Sequence, residues 1–166
     1  DKLERSNATK KQKEEIQQLS EVYASYLFSD EALKNYFRNA AKKADFDNTI
    51  FFVFGDHGNP LFPRSEIQKY QTPLLIYSPL LKKSGKFNSL ISHNDLTPTI
   101  LNYLRLHYPQ LRIPKQVPFF GREIAFEKPF KCNRTLPLIS LDSETKHLIY
   151  NDYFQYEGQL FKIGKN

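Results

Sequence analysis

Thr49-Ile50-Phe51-Phe52-Val53-Phe54-Gly55-Asp56-His57-Gly58 reads as a strand that runs straight into a turn. Ile50 to Phe54 are apolar without a break, β-branched or aromatic, and the run is short. That is the pattern of a strand buried on both faces, as at the centre of a parallel sheet. Open sheets of this kind take their ligands at the carboxyl ends of the strands, which is where Asp56 and His57 stand. Gly55 and Gly58 let the backbone turn sharply, so neighbouring side chains need not point to opposite faces. A carboxylate and an imidazole that converge there can share one divalent metal ion. The same pair also suits a plain turn, with Asp56 accepting from local amides and His57 in solvent.

Upstream, Ile16, Leu19, Val22, Tyr23, Tyr26 and Leu27 recur at helical spacing and predict an amphipathic helix over residues 9–28. Ser29-Asp30-Glu31 has the composition of a second helix start, with Ser29 as cap. That helix runs to about Ala44, and a short turn leads into the central strand. Helix, turn and buried strand make half of an α/β unit.

Downstream, residues 58–72 form a loop with Pro60 and Pro63, long enough to suggest binding. Arg64 and Lys69 lie in it, within reach of an anionic group. Thr72 to Pro79 is a second buried strand, closed by a proline, and Lys82 to Asn88 a basic loop. In Ser92-His93-Asn94-Asp95-Leu96-Thr97-Pro98, Asp95 is a helix N-cap and Pro98 falls in the first turn, with the helix ending near His107. His93 therefore sits just ahead of a helix N-terminus, a place that suits contact with a phosphate, a sulfate or a second metal. His107 and His147 are expected to be structural. Beyond Pro109 the chain is Pro-rich and irregular. Short strands over Leu136–Leu141, Lys146–Asn151 and Gln159–Ile163 then predict a small antiparallel sheet, with turns at Asp142-Ser143 and Glu157-Gly158.

The 166 residues suffice for one domain with a core, and 40% hydrophobic content argues for a folded chain. No apolar run approaches membrane-spanning length. The net charge of +6 suits anionic substrates or an anionic surface. Lysines and arginines are spread along the chain and no nucleic-acid module is visible, so nucleic acid is not an expected partner. The single cysteine, Cys132, excludes an internal disulfide and a cysteine-based zinc cage. The chain has no methionine and opens on a polar stretch, which reads as a piece of a longer protein. Asn7-Ala8-Thr9 and Asn133-Arg134-Thr135 fit the glycosylation pattern, a short match with little weight.

Several of these segments carry a resemblance. Asp47-Asn48-Thr49 with the following strand and Gly55-Asp56-His57-Gly58 resembles the sulfatase branch of the alkaline-phosphatase superfamily. Ser92 to Leu101 is similar to that branch's second motif, 37 positions from Asp56 to His93. Gly121-Arg122-Glu123 and the tyrosine-rich tail resemble later segments. Within the branch the chain is most similar to the lipoteichoic-acid-synthase and phosphoglycerol-transferase type, and to its C-terminal half.

The resemblance implies an α/β fold with helices on a mostly parallel sheet and a small C-terminal antiparallel sheet. Residues 1–130 would be the C-terminal half of a catalytic domain, and 131–166 a small β subdomain of it. It implies Asp56 and His57 as metal ligands for Mn, Zn or Ca, with His93 facing the substrate or a second metal; Arg64, by its charge, is also expected on the substrate. No catalytic nucleophile is expected in this stretch; the resemblance places it upstream, so the fragment alone should be inactive. The expected parent is a metal-dependent phospho-group transferase, or a sulfuric or phosphoric ester hydrolase, acting on cell-envelope substrates. Phosphoglycerol or phosphoethanolamine transfer is favoured. A sulfatase proper, or a non-catalytic scaffold that keeps the fold, is the alternative. The expected partners are an anionic phosphate or sulfate ester, free or lipid-linked, and the missing N-terminal half, with self-association of the fragment through exposed apolar surface. The parent is expected to be extracytoplasmic and anchored in the cytoplasmic membrane.

Overall fold

Residues 7–58, 65–114, 118, 120–127, 134–139 and 147–163 are described in a computed structural model of the chain. They divide into two compact units, Asp1–Phe52 with Ile76–Leu81 and Val53–Leu75 with Lys82–Asn166.

The first unit is led by helices α1 (Lys10–Gln18) and α2 (Ser20–Ala40). Thr9 caps α1 in a reciprocal box with Gln12, two of the amides left over at a helix start being satisfied at once. The expected helix start at Ser29 is not there: α2 runs through it, and the break falls at Leu19. The reason is local. Ser29 Oγ donates to the Ser25 carbonyl at 2.9 Å, one helical turn back, so its hydroxyl serves the helix interior instead of a free terminus. Glu31 and Lys34 add an ion pair on the same helix. Phe37, Phe46, Phe51 and Tyr77 form the aromatic centre of this unit, with Phe37 and Phe51 centroids 5.0 Å apart.

Strands β1 (Phe51–Phe54) and β2 (Leu74–Tyr77) pair as a two-stranded sheet. Phe51 at the start of β1 lies beside Tyr77 at the end of β2, and Gly55 just past β1 donates to Pro73 just before β2. The pair is therefore antiparallel. With one neighbour each among the described residues, neither strand is buried on both faces as expected: Phe54 and Leu75 are 46% and 59% exposed.

In the second unit, the 3₁₀ turn His93–Asp95 leads directly into helix α3 (Leu96–His107). Strands β3 (Thr135–Leu138), β4 (His147–Tyr150), β5 (Tyr153–Tyr156) and β6 (Gln159–Lys162) make an antiparallel meander in chain order. The expected small C-terminal sheet is present, with β5 as a strand the sequence pattern did not separate from its neighbours. Glu157 and Gly158, both at positive φ, form the two-residue turn that joins β5 to β6. The turn at Asp142-Ser143 lies outside the described residues. Ile149 and Phe154 are buried at the sheet's centre, against Ile67, Tyr70, Leu90 and Leu136. Both sheets formed by the described residues are antiparallel, so the expected mostly parallel sheet is not among them. No helix among these residues is long and apolar enough to cross a membrane.

Candidate functional site

The loop after β1 carries the first two candidate residues. The His57 backbone N–H donates to Asp56 Oδ1 at 3.0 Å, and His57 Nδ1 lies 2.8 Å from the Gly58 carbonyl oxygen. A carbonyl only accepts, so Nδ1 carries a hydrogen, and in the neutral ring Nε2 then keeps its lone pair. That lone-pair nitrogen is 3.8 Å from Asp56 Oδ1, and both side chains are open to solvent. Metal bonds to such donors run about 2.0–2.2 Å, so a single ion can touch both atoms at this separation. The spacing and the exposure fit a divalent metal touched by one carboxylate and one imidazole. Among the described residues no group of three or more His, Cys, Asp or Glu is placed to hold a metal ion.

Gly58 is fixed by sterics. A Cβ at this position would fall 1.9 Å from the Lys69 carbonyl oxygen, so only glycine lets the two backbones approach this closely.

The second motif meets the first. His93 Nε2 lies 2.8 Å from the Gly55 carbonyl oxygen, the residue before Asp56, and 3.4 Å from Thr72 Oγ1. Its ring also packs against Phe54 at 5.3 Å between centroids. The donor to Gly55 must be Nε2–H, which leaves Nδ1 as the atom available to a ligand. Two segments 37 positions apart are thereby joined at the Gly55 carbonyl, the residue before Asp56. Arg64, the fourth candidate, lies outside the described residues. His107 packs on Tyr103, and His147 shares a 2.6 Å hydrogen bond with the Tyr70 hydroxyl and stacks on Tyr156, both structural placements as expected.

Asp95 does more than end a turn. Its side chain makes no cap bond to α3. It is 1% exposed and accepts four hydrogen bonds. Oδ1 takes the Arg122 backbone N–H at 3.0 Å and Arg134 Nη1 at 2.8 Å. Oδ2 takes the Ser92 backbone N–H at 2.8 Å and Arg134 Nη2 at 2.5 Å. Burial pushes the carboxyl up, but the Arg134 fork and the two backbone N–H donors outweigh it and hold the group below the ordinary carboxylate range. Thr99 Oγ1 donates to the Asp95 carbonyl and accepts from the Ile124 N–H, tying the same turn to the chain after Gly121. Gly121 is the second steric requirement: a Cβ there would sit 1.7 Å from the Asn94 carbonyl oxygen. Arg134 was not singled out from sequence as a site residue, and nothing near it in sequence marks the partner 39 positions away.

A cavity of about 190 Å³ lies beside this turn, lined by residues that include Ser89, Asp95, Arg122 and Glu127. It is smaller than a ligand pocket of about 300–1,000 Å³.

The sulfatase family model matches residues 1–106, a span that contains both motifs. No curated protein and no solved structure matches the chain. Members of the matching family have an alkaline-phosphatase-like α/β fold, act as hydrolases on sulfate or phosphate esters and generally use a divalent metal.

Proposed function

This chain belongs to the sulfatase family, and on that premise we propose that it contributes metal ligands and a substrate contact to an enzyme working on a phosphate or sulfate ester. The observation that carries the reading is the bond from His93 Nε2–H to the Gly55 carbonyl, which brings the second motif against the first. Asp56 and His57 would hold the divalent ion. When bound, such an ion lowers the pKa of an attacking hydroxyl and neutralises ester oxygens. The chain's own part is to present the Asp56 carboxylate and His57 Nε2 to the ion and to turn His93 toward the bound ester, to an oxygen of which Nδ1 donates when the ring carries a hydrogen on both nitrogens. Arg64 would add positive charge for the equatorial oxygens of the transferred group.

Transfer of phosphoglycerol or phosphoethanolamine to a cell-envelope acceptor is the favoured form of this chemistry, and the basic balance of the chain, +6, suits an anionic, lipid-linked ester. In that reading the chain is the C-terminal half of a catalytic domain, with residues 131–166 as a small β subdomain. The nucleophile and the parallel strands of the fold would belong to preceding sequence, and the parent would be anchored at the outer face of the cytoplasmic membrane.

The test is Asp56→Ala in the parent protein, assayed for metal-dependent release or transfer from a phospholipid and for hydrolysis of an aryl sulfate. Loss of metal-dependent turnover with an unchanged melting temperature supports the reading. Full activity in the variant refutes the ligand assignment. Turnover of the aryl sulfate alone makes the parent a sulfatase proper. A folded parent that binds metal but turns over neither ester is the scaffold alternative.

A further inference from the structure

Arg134 immediately precedes β3, beyond the residues that the family model matches, yet it reaches back to the second motif. The connection can be followed bond by bond. Arg134 is held in the sheet, its carbonyl accepting from the Asn151 N–H at 3.3 Å while Thr135 beside it pairs with Tyr150. Its guanidinium grips both oxygens of Asp95. Asp95 Oδ2 accepts from the Ser92 N–H, the Asp95 N–H donates to the Ser92 carbonyl at 2.9 Å, and Ser92 Oγ accepts from the Asn94 N–H. His93 lies between Ser92 and Asn94, so the residues on both sides of it are pinned by this box. Its ring then has one settled orientation, with Nε2–H on the Gly55 carbonyl.

We propose that Arg134 is a positioning residue for His93, acting through Asp95, so that the C-terminal antiparallel sheet is a working part of the ester site. The proposal rests on the reading of His93 as the substrate contact. An ion pair that merely fastened the sheet to the body would need no bond from the carboxylate to the backbone beside the histidine. Here the oxygen gripped by Nη2 is the one that fixes Ser92. A bidentate guanidinium also sets the plane of the carboxylate, which a point charge does not.

The test is ring-nitrogen NMR on the ¹⁵N-labelled 166-residue chain, wild type against Arg134→Met and Arg134→Lys. In the wild type His93 should show the Nε2–H form, its proton exchanging more slowly than in either variant. In Arg134→Met it should move to averaged tautomers with fast exchange, while His147, bonded to Tyr70 in the same sheet, keeps its own signature. His147 thus reports whether the sheet is still folded. Should Arg134→Met disturb His147 as well, Arg134→Lys decides: it keeps the charge and the stem but not the fork, and His93 proton exchange should rise at least tenfold with His147 unmoved. An unchanged His93 in a variant whose His147 is native overturns the proposal. Inorganic phosphate added to the wild type separates the two claims. A His93 ring that responds to Arg134 but not to phosphate at tens of millimolar contradicts the ester reading and leaves the positioning in place. A ring that responds to phosphate in wild type and in both variants alike contradicts the positioning alone.

Discussion

Gly55 and Gly58 differ by three positions, and alanine should be tolerated at one and not at the other. At Gly55 a Cβ would meet the His57 carbonyl oxygen and the Thr72 Cβ at 3.5 Å, ordinary contact distances. At Gly58 it would meet the Lys69 carbonyl oxygen at 1.9 Å and the Lys69 carbonyl carbon at 2.6 Å. These are backbone atoms, so no rotamer change relieves the overlap. Restoring a contact of about 3.4 Å moves one backbone by roughly 1.5 Å, and overpacking of this kind costs about 1–3 kcal/mol. Gly55→Ala loses no contact and reduces the freedom of the unfolded chain, an effect of about 0.4–1 kcal/mol in favour of folding where the backbone tolerates alanine. For a chain of this size 1 kcal/mol is about 2–4 °C in melting temperature. Gly58→Ala should therefore melt several degrees below the wild type, and Gly55→Ala at or slightly above it. Thermal and urea unfolding of the two variants side by side is the assay. The Gly58 carbonyl also orients His57, so displacement of this loop should weaken divalent-metal binding by roughly 10–100-fold, as loss of a supporting contact does. Equal stability of the two variants would refute the steric argument, and with it the claim that Gly58 is glycine for packing.

The Asp95 carboxyl is held below its ordinary range in the folded chain, so its contribution is present above the unfolded value of about 3.9 and is lost as pH falls through the folded one. Melting temperature should fall steeply below about pH 4, and Asp95→Asn should flatten that part of the profile. At neutral pH the same variant breaks a buried ion pair and should lose about 3 kcal/mol in urea unfolding. Phe154→Ala opens the centre of the C-terminal sheet, where the ring is 4% exposed, and should cost about 3–5 kcal/mol by the same measurement. Gly158→Ala puts a side chain at φ 75 in open space, so only backbone strain of about 1 kcal/mol should appear.

What was legible in the sequence was local. Pro98 and His107 bracketed α3 correctly because a proline in the first turn and a basic last turn are consequences of helix geometry itself. Glu157-Gly158 marked a hairpin because a two-residue turn demands positive φ. The pairing of the two motifs was legible as a resemblance, and the contact of His93 with the Gly55 carbonyl gives it a physical form. Ser29 misled because a serine hydroxyl serves either a helix start or a carbonyl one turn back, and composition does not separate the two. β1 and β2 read as doubly buried because hydrophobicity reports what a strand can cover, not which neighbour covers it. Arg134 was out of reach for a different reason: its partner is 39 positions away, and a lone arginine in a loop looks like any solvated charge.

The central claim is that Asp56 and His57 form the metal end of a site that includes His93. Titration of the ¹⁵N-labelled chain with Mn²⁺, read as paramagnetic broadening of the four histidine rings, tests it most directly. The account predicts that His57 broadens first and His93 next, that His147 stays sharp at the same Mn²⁺ concentration, and that Asp56→Ala abolishes the effect. Broadening that leaves His57 sharp, or that survives Asp56→Ala unchanged, would contradict it.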